Sequence, residues 1–342
     1  MNVVMIIPTG IGCEIGGHAG DANPVARLLA SVCDNLLVHP NVVNASDLNE
    51  MTDNTWYVEG SILDRFLEGK FYLHKPKSNK ILAVSNDSLE PATRNSIEAS
   101  MYTLGTDIKS ITLKTPIEME GIVLEDHATG IIKGEDALID QISGEDFDAL
   151  AIHSKVMVTN KTAMNYLRCG GINPYGAVEA ILSRHVANKI NKPVAHSPVE
   201  ELEEPYTGLS YNPRMSASLI STCYLNSILK GLHRAPRITK RRRPNSLGVN
   251  NIDCLITPMN CVGRPHIACL ERGIPVIAVR ENKTKLQDIM PLEFIEVSNY
   301  MEAAGYVAAI KAGLNYKTLT TKNIPPIEFL KNQNKENDGC GA

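Results

Sequence analysis

The chain has 342 residues, of which 43% are hydrophobic, 21% are charged and only 5% are aromatic, and its formal net charge is −4. This composition is typical of a folded globular protein with about two domains, and it excludes whole-chain disorder and coiled coil. The weak negative charge and the few aromatic rings exclude a general nucleic-acid binder and a protein drawn to anionic membranes, so we expect a small-molecule protein.

The predicted elements begin with a strand–helix–strand unit. Asn2–Pro8 is a short apolar strand, and a loop that contains five glycines follows it. Pro24 favours the first turn of a helix, which we predict at Val25–Cys33, and a second strand is predicted at Asn35–His39. This order of elements within about forty residues predicts a right-handed βαβ unit.

Two later segments have the same order of elements. In one, a strand at Phe147–Val158 and a helix at Tyr175–Ile190 precede a strand at Pro193–His196. The other has a strand at Ile252–Thr257, a helix at His266–Arg272 and a strand at Ile274–Val279. Repeated βαβ units predict an α/β fold with a mostly parallel sheet, and two or three similar subdomains are one way to arrange them.

The remaining elements and the domain boundaries complete the prediction. Further elements are a strand at Lys80–Val84, a helix at Pro91–Leu104, a strand at Ile117–Val123, and helices at Glu135–Ile142, Met215–Leu232 and Tyr300–Leu314. We predict an N-terminal α/β domain with the glycine-rich loop at residues 1–145 and a C-terminal α/β domain at residues 146–320. The polar tail at residues 321–342 is predicted to be disordered. The basic run Lys240–Arg243 is either a solvated loop or a lid over an anionic substrate.

The cellular location follows from the absence of targeting signals. The apolar run Val3–Pro8 is short and has no basic region before it, so we predict no signal peptide. No apolar stretch approaches the roughly 18 residues that a membrane span requires. The eight cysteines include no CxxC pair, which favours reduced thiols. We therefore predict a cytoplasmic protein without nucleic-acid or membrane partners, with a homodimer as the base-rate assembly.

The glycine loop and the strand ends predict a binding site. In an open parallel sheet, ligands bind beyond the carboxyl ends of the strands, where these segments would meet. Glycines let backbone N–H groups approach an anion, and helix N-termini favour negative charge, so we predict a small carboxylate or phosphate substrate. Tight turns that merely close the sheet edge are the alternative. The predicted substrate-binding residues are Gly10, Gly12, Gly16, Gly17, Asp21, Asn41, Glu59, Asp64, Arg280, Glu281 and Asn282.

Four side chains are predicted to do the chemistry. His39 and His196 lie at predicted strand ends, and histidine is the natural acid–base group near neutral pH. Glu179 lies in the first turn of a predicted helix, and Cys261 lies in a loop at the same sheet edge. These residues predict an isomerase or lyase that uses acid–base chemistry on a small anionic metabolite. A non-catalytic anion-binding or sensor protein is the alternative, and either histidine could instead serve a structural hydrogen bond.

The cysteines permit a third alternative. Cys13, Cys169 and Cys261 each lie in the glycine loop of a different βαβ unit, and thiolates are the usual ligands of iron–sulfur clusters. The unequal spacing of these cysteines along the chain counts against an iron–sulfur enzyme. We therefore assign no metal ligands, and the sequence leaves the cofactor unknown.

Several long phrases of the sequence carry a family resemblance. They include PTGIGCEIGGHAGDANPVARLLA, LVHPNVVNASDL, YVEGSILDRF, NPYGAVEAILSRH and GIPVIAVREN. From about residue 3 to residue 314, the chain resembles an uncharacterised family, best known from cyanobacterial proteins and catalogued as a domain of unknown function. The resemblance implies no established activity, and it implies a small residue other than cysteine at the position of Cys13. The positions that match its phrases include Gly10, Gly12, Asp21, His39, Asn41, Glu59, Asp64, Glu179, His196, Cys261 and Glu281.

Overall fold

Two parallel sheets form the framework of the molecule in a computed structural model, which describes residues 1–43, 51–199, 211–219, 224–321, 324 and 326–328. The larger sheet has six strands and the smaller one has four, and every neighbouring pair in both sheets is parallel. The predicted α/β fold with a mostly parallel sheet built from βαβ units is therefore confirmed.

The six-stranded sheet joins segments that are distant along the chain. In spatial order its strands are β15 (Ile295–Val297), β14 (Val276–Val279), β13 (Cys254–Pro258), β1 (Asn2–Met5), β2 (Asn35–Val38) and β3 (Thr55–Tyr57). Val3 in the centre pairs with Leu36 on one side and with Cys254 on the other. The predicted domain boundary at residue 145 stays a prediction, and this sheet takes strands from both sides of it.

The four-stranded sheet comes from the middle of the chain. Its order is β10 (Val194–Pro198), β9 (Ala149–Ser154), β5 (Ile81–Ser85) and β6 (Ile108–Thr112). Two antiparallel sheets accompany it: one of β11 (Arg237–Thr239), β4 (Tyr72–His74) and β12 (Ser246–Leu247), and one of β7 (Glu118–Val123) and β8 (Ala128–Lys133). The basic run Lys240–Arg243 is exposed in the connection between β11 and β12.

Helices cover both faces of the two parallel sheets. They are α1 (Asn23–Val32), α2 (Pro40–Val43), α3 (Gly60–Leu67), α4 (Pro91–Leu104), α5 (Glu135–Ile142), α6 (Asn160–Cys169), α7 (Gly176–Ile190), α8 (Pro213–Leu219), α9 (Tyr224–His233), α10 (Arg264–Glu271) and α11 (Tyr300–Lys311). In the described ranges, none of them combines the length and the apolar character that crossing a bilayer requires. The predicted helix Met215–Leu232 matches α8 and α9, with residues 220–223 outside the described part. Most of the predicted disordered tail also lies outside it.

Two hydrophobic cores hold the layers together, and each core reaches both parallel sheets. Val3 and Met5 of β1 point into one core, which also contains side chains of α1, α9 and α11. Val4 and Ile6 point to the opposite face, where α3, α7 and α10 pack. This alternation follows from the period of two in a strand. Because both faces are buried, β1, β2, β13 and β14 are apolar apart from Asn2, Asn35 and Thr257.

Candidate functional site

A cavity of about 500 Å³ lies where the two parallel sheets approach each other. Its walls include Ile6 and Pro8 beyond the centre of the six-stranded sheet, and Val194 and Ala195 of β10 in the four-stranded sheet. The N-terminal turns of α3, α7 and α10 complete the lining. Its volume is within the range of about 300–1,000 Å³ for small-molecule sites.

The cavity brings together seven of the side chains predicted from the sequence. They come from strand ends, loops and helix starts that are up to 222 residues apart, because parallel strands present their carboxyl ends to one edge. The seven are His39, Asn41, Glu59, Asp64, Glu179, His196 and Cys261. Their chemical roles stay predictions.

His196 is a deeply buried acid–base group in the wall. Its side chain is only 1% exposed, and its Nε2 lies 3.0 Å from the hydroxyl of Ser154. That hydroxyl donates to the sulfur of Met119, so it can accept a hydrogen bond only from a protonated Nε2. The neutral ring therefore has its lone pair on Nδ1, which is buried without a hydrogen-bond partner and lies 3.7 Å from Oε1 of Glu179.

The contacts of Ser154, His196 and Glu179 have the order of a serine–histidine–acid triad. A serine nucleophile must face the substrate, but Ser154 is 1% exposed and is not part of the cavity wall. The serine therefore orients the imidazole from behind. The groups that face the cavity are His196 and Glu179, and Glu179 is partly exposed.

A close contact between α7 and the end of β1 brings Glu179 to the sheet edge. A Cβ atom at Gly176 would lie 2.0 Å from Oγ1 and 3.3 Å from Cβ of Thr9, so a larger residue would displace the Thr9 side chain. Asn173 fixes the start of the helix by accepting the backbone N–H groups of Tyr175 and Gly176. Glu179 then follows in the first turn, where a carboxylate is favoured by the helix dipole.

His39 is a neutral imidazole at the opposite strand end. Burial lowers its pKa to about 4, and Nε2 accepts the backbone N–H of Ile7 at 3.0 Å. Because that nitrogen accepts, the proton of the neutral ring is on Nδ1. Within the described residues, Nδ1 hydrogen-bonds to no protein group, and the side chain lines the cavity. His39 therefore offers a neutral N–H donor rather than a cation.

Two carboxyl groups on α3 extend the polar part of the wall. Glu59 caps this helix through Oε2, which accepts the N–H of Ile62 at 3.0 Å and the hydroxyl of Ser61 at 2.6 Å. Burial raises the pKa of Glu59 above its ordinary value. Burial also raises the pKa of Asp64 to about 6, although the nearby guanidinium of Arg264 opposes this effect.

Two arginines in the lining were not predicted. Arg264 at the start of α10 donates to Glu68 through Nε and Nη2, at 2.9 and 2.5 Å. Within the described part of the chain, no hydrogen bond or ion pair holds Arg184 on α7. Arg184 is exposed and follows Glu179 by five residues, which places it about 140° around the helix from Glu179. Helical spacing from Glu179 does not indicate Arg184, because residues on one helix face are three or four positions apart.

Cys261 and His266 lie in the wall as packed, neutral groups. Burial raises the pKa of the Cys261 thiol to about 11, so the reactive thiolate is scarce at neutral pH. Burial lowers the pKa of His266 to about 4, and its ring nitrogens contact the N–H of Gly263 and the hydroxyl of Thr257. These contacts favour structural roles for both side chains.

The predicted glycine residues of the first loop lie outside the cavity lining and serve close packing. An added Cβ would lie 2.8 Å from Cβ of Ala177 at Gly10, and 2.7 Å from the side chains of Lys285 at Gly12 and of Ile7 at Gly16. At Gly17 it would meet the carbonyl oxygen of Cys13 at 2.1 Å. The loop therefore does not form the expected anion cradle at this cavity. The loop residues that line it are Thr9, Ile11 and Ala19.

The other predicted binding residues are also outside the lining, where they have structural partners. Asp21 pairs with Arg214 at 3.1 Å, and Arg280 pairs with Glu296 at 2.5 Å. Glu281 accepts the N–H of Tyr300 at the start of α11. Asn282 is fully buried; it hydrogen-bonds twice to the backbone of Ile15 and once to the hydroxyl of Tyr300.

The three cysteines of the iron–sulfur alternative do not meet. Cys13 and Cys261 are buried, whereas Cys169 is exposed at the end of α6. Across the described ranges, no group of three or more His, Cys, Asp or Glu side chains is arranged to hold a metal ion. The iron–sulfur alternative therefore has no ligand set in this arrangement.

Comparison with known proteins identifies the family. The family described as "Protein of unknown function (DUF3326)" matches residues 2–320. An uncharacterised lipoprotein of Synechococcus sp. is 33% identical over 335 residues, which cover 93% of this chain and 92% of the relative. No solved structure matches the chain significantly. The chain therefore belongs to the DUF3326 family of proteins of unknown function.

Proposed function

We propose that the protein is an isomerase or lyase that removes a proton next to a carbonyl or carboxyl group of a small anionic metabolite. The observation that carries the proposal is Nδ1 of His196, which is buried without a hydrogen-bond partner 3.7 Å from Glu179 in the cavity wall. An unsatisfied buried nitrogen costs stability, so its presence beside a partly exposed carboxylate favours a role in proton transfer.

Glu179 is the group that takes the proton from carbon. It is ordered by the helix start, partly exposed to the cavity, and free of the capping bonds that occupy Glu59. The protonated carboxyl group can then donate to Nδ1 of His196, whose Nε2–H is held by Ser154. Return of the proton to a neighbouring carbon gives isomerisation, and its delivery to a leaving group gives elimination.

His39 supplies the electrophile. Its pKa of about 4 keeps the ring neutral at physiological pH, with Nδ1–H available at the cavity wall. A neutral imidazole N–H can stabilise the negative oxygen that develops when a carbon next to a carbonyl loses its proton. A cationic group would bind the anionic substrate before reaction as well, whereas a neutral donor gains strength as charge develops.

Arg184 supports the choice of an anionic substrate. Arg184 lines the cavity and forms no ion pair within 4 Å among the described residues, although its charge opposes the burial effect that raises the pKa of Asp64. Guanidinium groups bind carboxylate and phosphate through paired N–H donors. We expect it to hold a charged group of the substrate while Glu179, five residues earlier on α7, reaches the reacting carbon.

Solvent deuterium exchange tests this proposal and does not require that the product be identified. The protein is incubated in D₂O with a panel of oxo acids, hydroxy acids and phosphorylated ketones, and deuterium uptake at carbon is followed by mass spectrometry. We expect exchange in at least one compound. Loss of a general base lowers the rate by about 10²–10⁴-fold, so Glu179→Gln should abolish detectable uptake.

Matched variants separate chemistry from stability. Glu98→Gln, on the exposed face of α4, and His185→Gln, on α7 but paired with Asp136, should exchange at the parent rate. His196→Gln should lose exchange and keep its fold. Unchanged exchange in Glu179→Gln would refute the proposal. Binding of an anion by the parent protein without any exchange would instead support the sensor alternative.

Location and assembly are proposals of the same kind. We propose a cytoplasmic protein, and a homodimer as its simplest assembly. The similar Synechococcus protein is named a lipoprotein, which suggests a membrane-anchored location as the competing proposal. Fractionation of the native host, followed by light scattering of the purified chain, tests both: recovery in the membrane fraction would contradict the first, and a monomer would contradict the second.

A further inference from the structure

The cavity is too large and too apolar for the smallest acids. A water molecule occupies about 30 Å³ in the liquid, so the cavity of about 500 Å³ corresponds to about seventeen atoms of that size. A three-carbon oxo acid has only six heavy atoms and would leave most of this space unfilled. A substrate of the class proposed above must therefore carry, besides its reacting group, a second and larger chemical group that fills the remaining space.

The apolar residues in the wall indicate the polarity of this second group of the substrate. Six of them come from strand ends, a helix and two loops: Ile6, Pro8, Ile11, Leu63, Val262 and Leu286. Ile6 and Leu63 are buried, whereas Ile11, Val262 and Leu286 are partly exposed. A second polar body, such as a sugar, would leave hydroxyl groups unpaired against these side chains.

Two further large aliphatic side chains are exposed on the loop that carries Leu286. In this loop Ile289 is 93% exposed and Leu292 is 99% exposed. The loop is tied to the cavity wall, because Asp288 accepts the N–H of Val262 at 2.8 Å. These two side chains therefore add exposed apolar surface to the segment that contributes Leu286 to the wall.

We infer that the substrate is an amphiphilic anion, with a carboxylate or phosphate bound by Arg184 and an acyl or similar apolar body packed against Ile6, Leu63 and Leu286. This inference rests on the proposed function in taking the cavity as the substrate site. It adds that the apolar body, rather than the charged group, contributes most of the affinity.

Calorimetric titration with simple probes tests the inference without turnover. Octanoate is compared with butyrate, which has the same charge and four fewer methylene groups, and with 1-octanol and octylammonium, which have the same chain. Burial of a methylene group improves binding about fourfold, so octanoate should bind about 200-fold more tightly than butyrate. Octanoate should also bind more tightly than 1-octanol and octylammonium, since only the anion can pair with Arg184.

Variants show whether the probe occupies this cavity. Ala180 lines the cavity from an exposed position on α7, so Ala180→Phe should fill part of the volume and weaken octanoate at least tenfold. Ala180→Leu is a smaller replacement if the phenylalanine variant does not fold. Ala308→Phe, at an exposed position on α11 outside the lining, is the matched control and should bind normally. Arg184→Gln should remove the preference for octanoate over 1-octanol.

The outcomes distinguish this inference from the proposed function. Equal affinities for octanoate and butyrate, or unchanged octanoate binding in both Ala180 variants, would overturn the amphiphilic substrate and leave the exchange assay unaffected. Tight, chain-length-dependent binding with no deuterium exchange in any acid would support the amphiphilic ligand and count against the enzyme. A preference for octylammonium would overturn the anionic end of the inference.

Discussion

Replacement of His39 by glutamine should make the protein less sensitive to acid. The pKa of His39 is about 4 in the folded state, because the ring is buried, and about 6.5 in an unfolded chain. Between these values the unfolded state binds a proton that the folded state excludes, so stability is lost as the pH falls from 6.5 to 4. The limiting loss is about 3 kcal/mol, and about 2 kcal/mol of it falls between pH 7 and pH 4.5.

The assay measures the difference in free energy of unfolding between two proteins at two pH values. Urea unfolding of the parent chain and of His39→Gln is compared at pH 7 and at pH 4.5, and glutamine can still accept the N–H of Ile7. Asp21 and Asp64 have pKa values raised to about 6 by burial, so they oppose the histidine effect in the parent profile and cancel in the comparison. The variant should gain about 2 kcal/mol relative to the parent at the lower pH. An equal difference at both pH values would show that the ring is accessible to water and would refute the argument.

Three further substitutions, with Gly305→Ala as a control, test the supports of the cavity by thermal unfolding. Gly176→Ala should lower the free energy of unfolding by about 1–3 kcal/mol, because its Cβ would meet Thr9. Gly305→Ala on α11 has open space around the new Cβ and should raise the free energy of unfolding by about 0.5–1 kcal/mol. Equal effects of the two substitutions would contradict the close contact at Gly176. Glu59→Ala should cost about 1 kcal/mol by removing the cap of α3, and no loss would contradict its capping role. The folded-state pKa of Asp64 is raised to about 6, so its contribution to stability is lost as the pH rises from about 4 to 6. Asp64→Asn should therefore stabilise at pH 7 by about 1–2 kcal/mol and not near pH 4, and a loss at pH 7 would refute the burial argument.

Local sequence signals were sufficient to predict the position of elements whose first and last residues are marked by the sequence. The predicted helices Pro91–Leu104 and Glu135–Ile142 agree with the structure at both termini. Proline in the first turn and a left-handed Gly105 after the last residue delimit the first of these helices. Helix α6 was missed because its polar residues Asn160–Cys169 resemble a loop and precede two glycines. The strands β11 and β12 were not predicted, because strands of two or three residues are too short to show an alternation of apolar and polar side chains.

The rule that ligands bind beyond the carboxyl ends of parallel strands identified much of the site. The glycines that the same rule assigned to the site lie outside the cavity lining. His39, His196 and Glu179 were found because their positions depend on short segments next to predicted strands. The use of Gly10 for packing on Ala177 was invisible, since that contact joins residues 167 positions apart. The pairing of β1 with β13 was equally hidden, because it depends on long-range packing rather than on any local pattern.

The pairing of Val3 with Cys254 has a consequence for how the chain is made. Strand β1 lies at the centre of its sheet, yet one of its edges is completed only after about 250 further residues have left the ribosome. At about 5–20 residues per second, that edge stays open for about 12–50 s. During this interval β1 offers unsatisfied N–H and C=O groups to any other extended chain. Aggregation of the nascent chain should therefore increase with the time needed to synthesise residues 58–253. This dependence would link the yield of folded protein to the rate of translation.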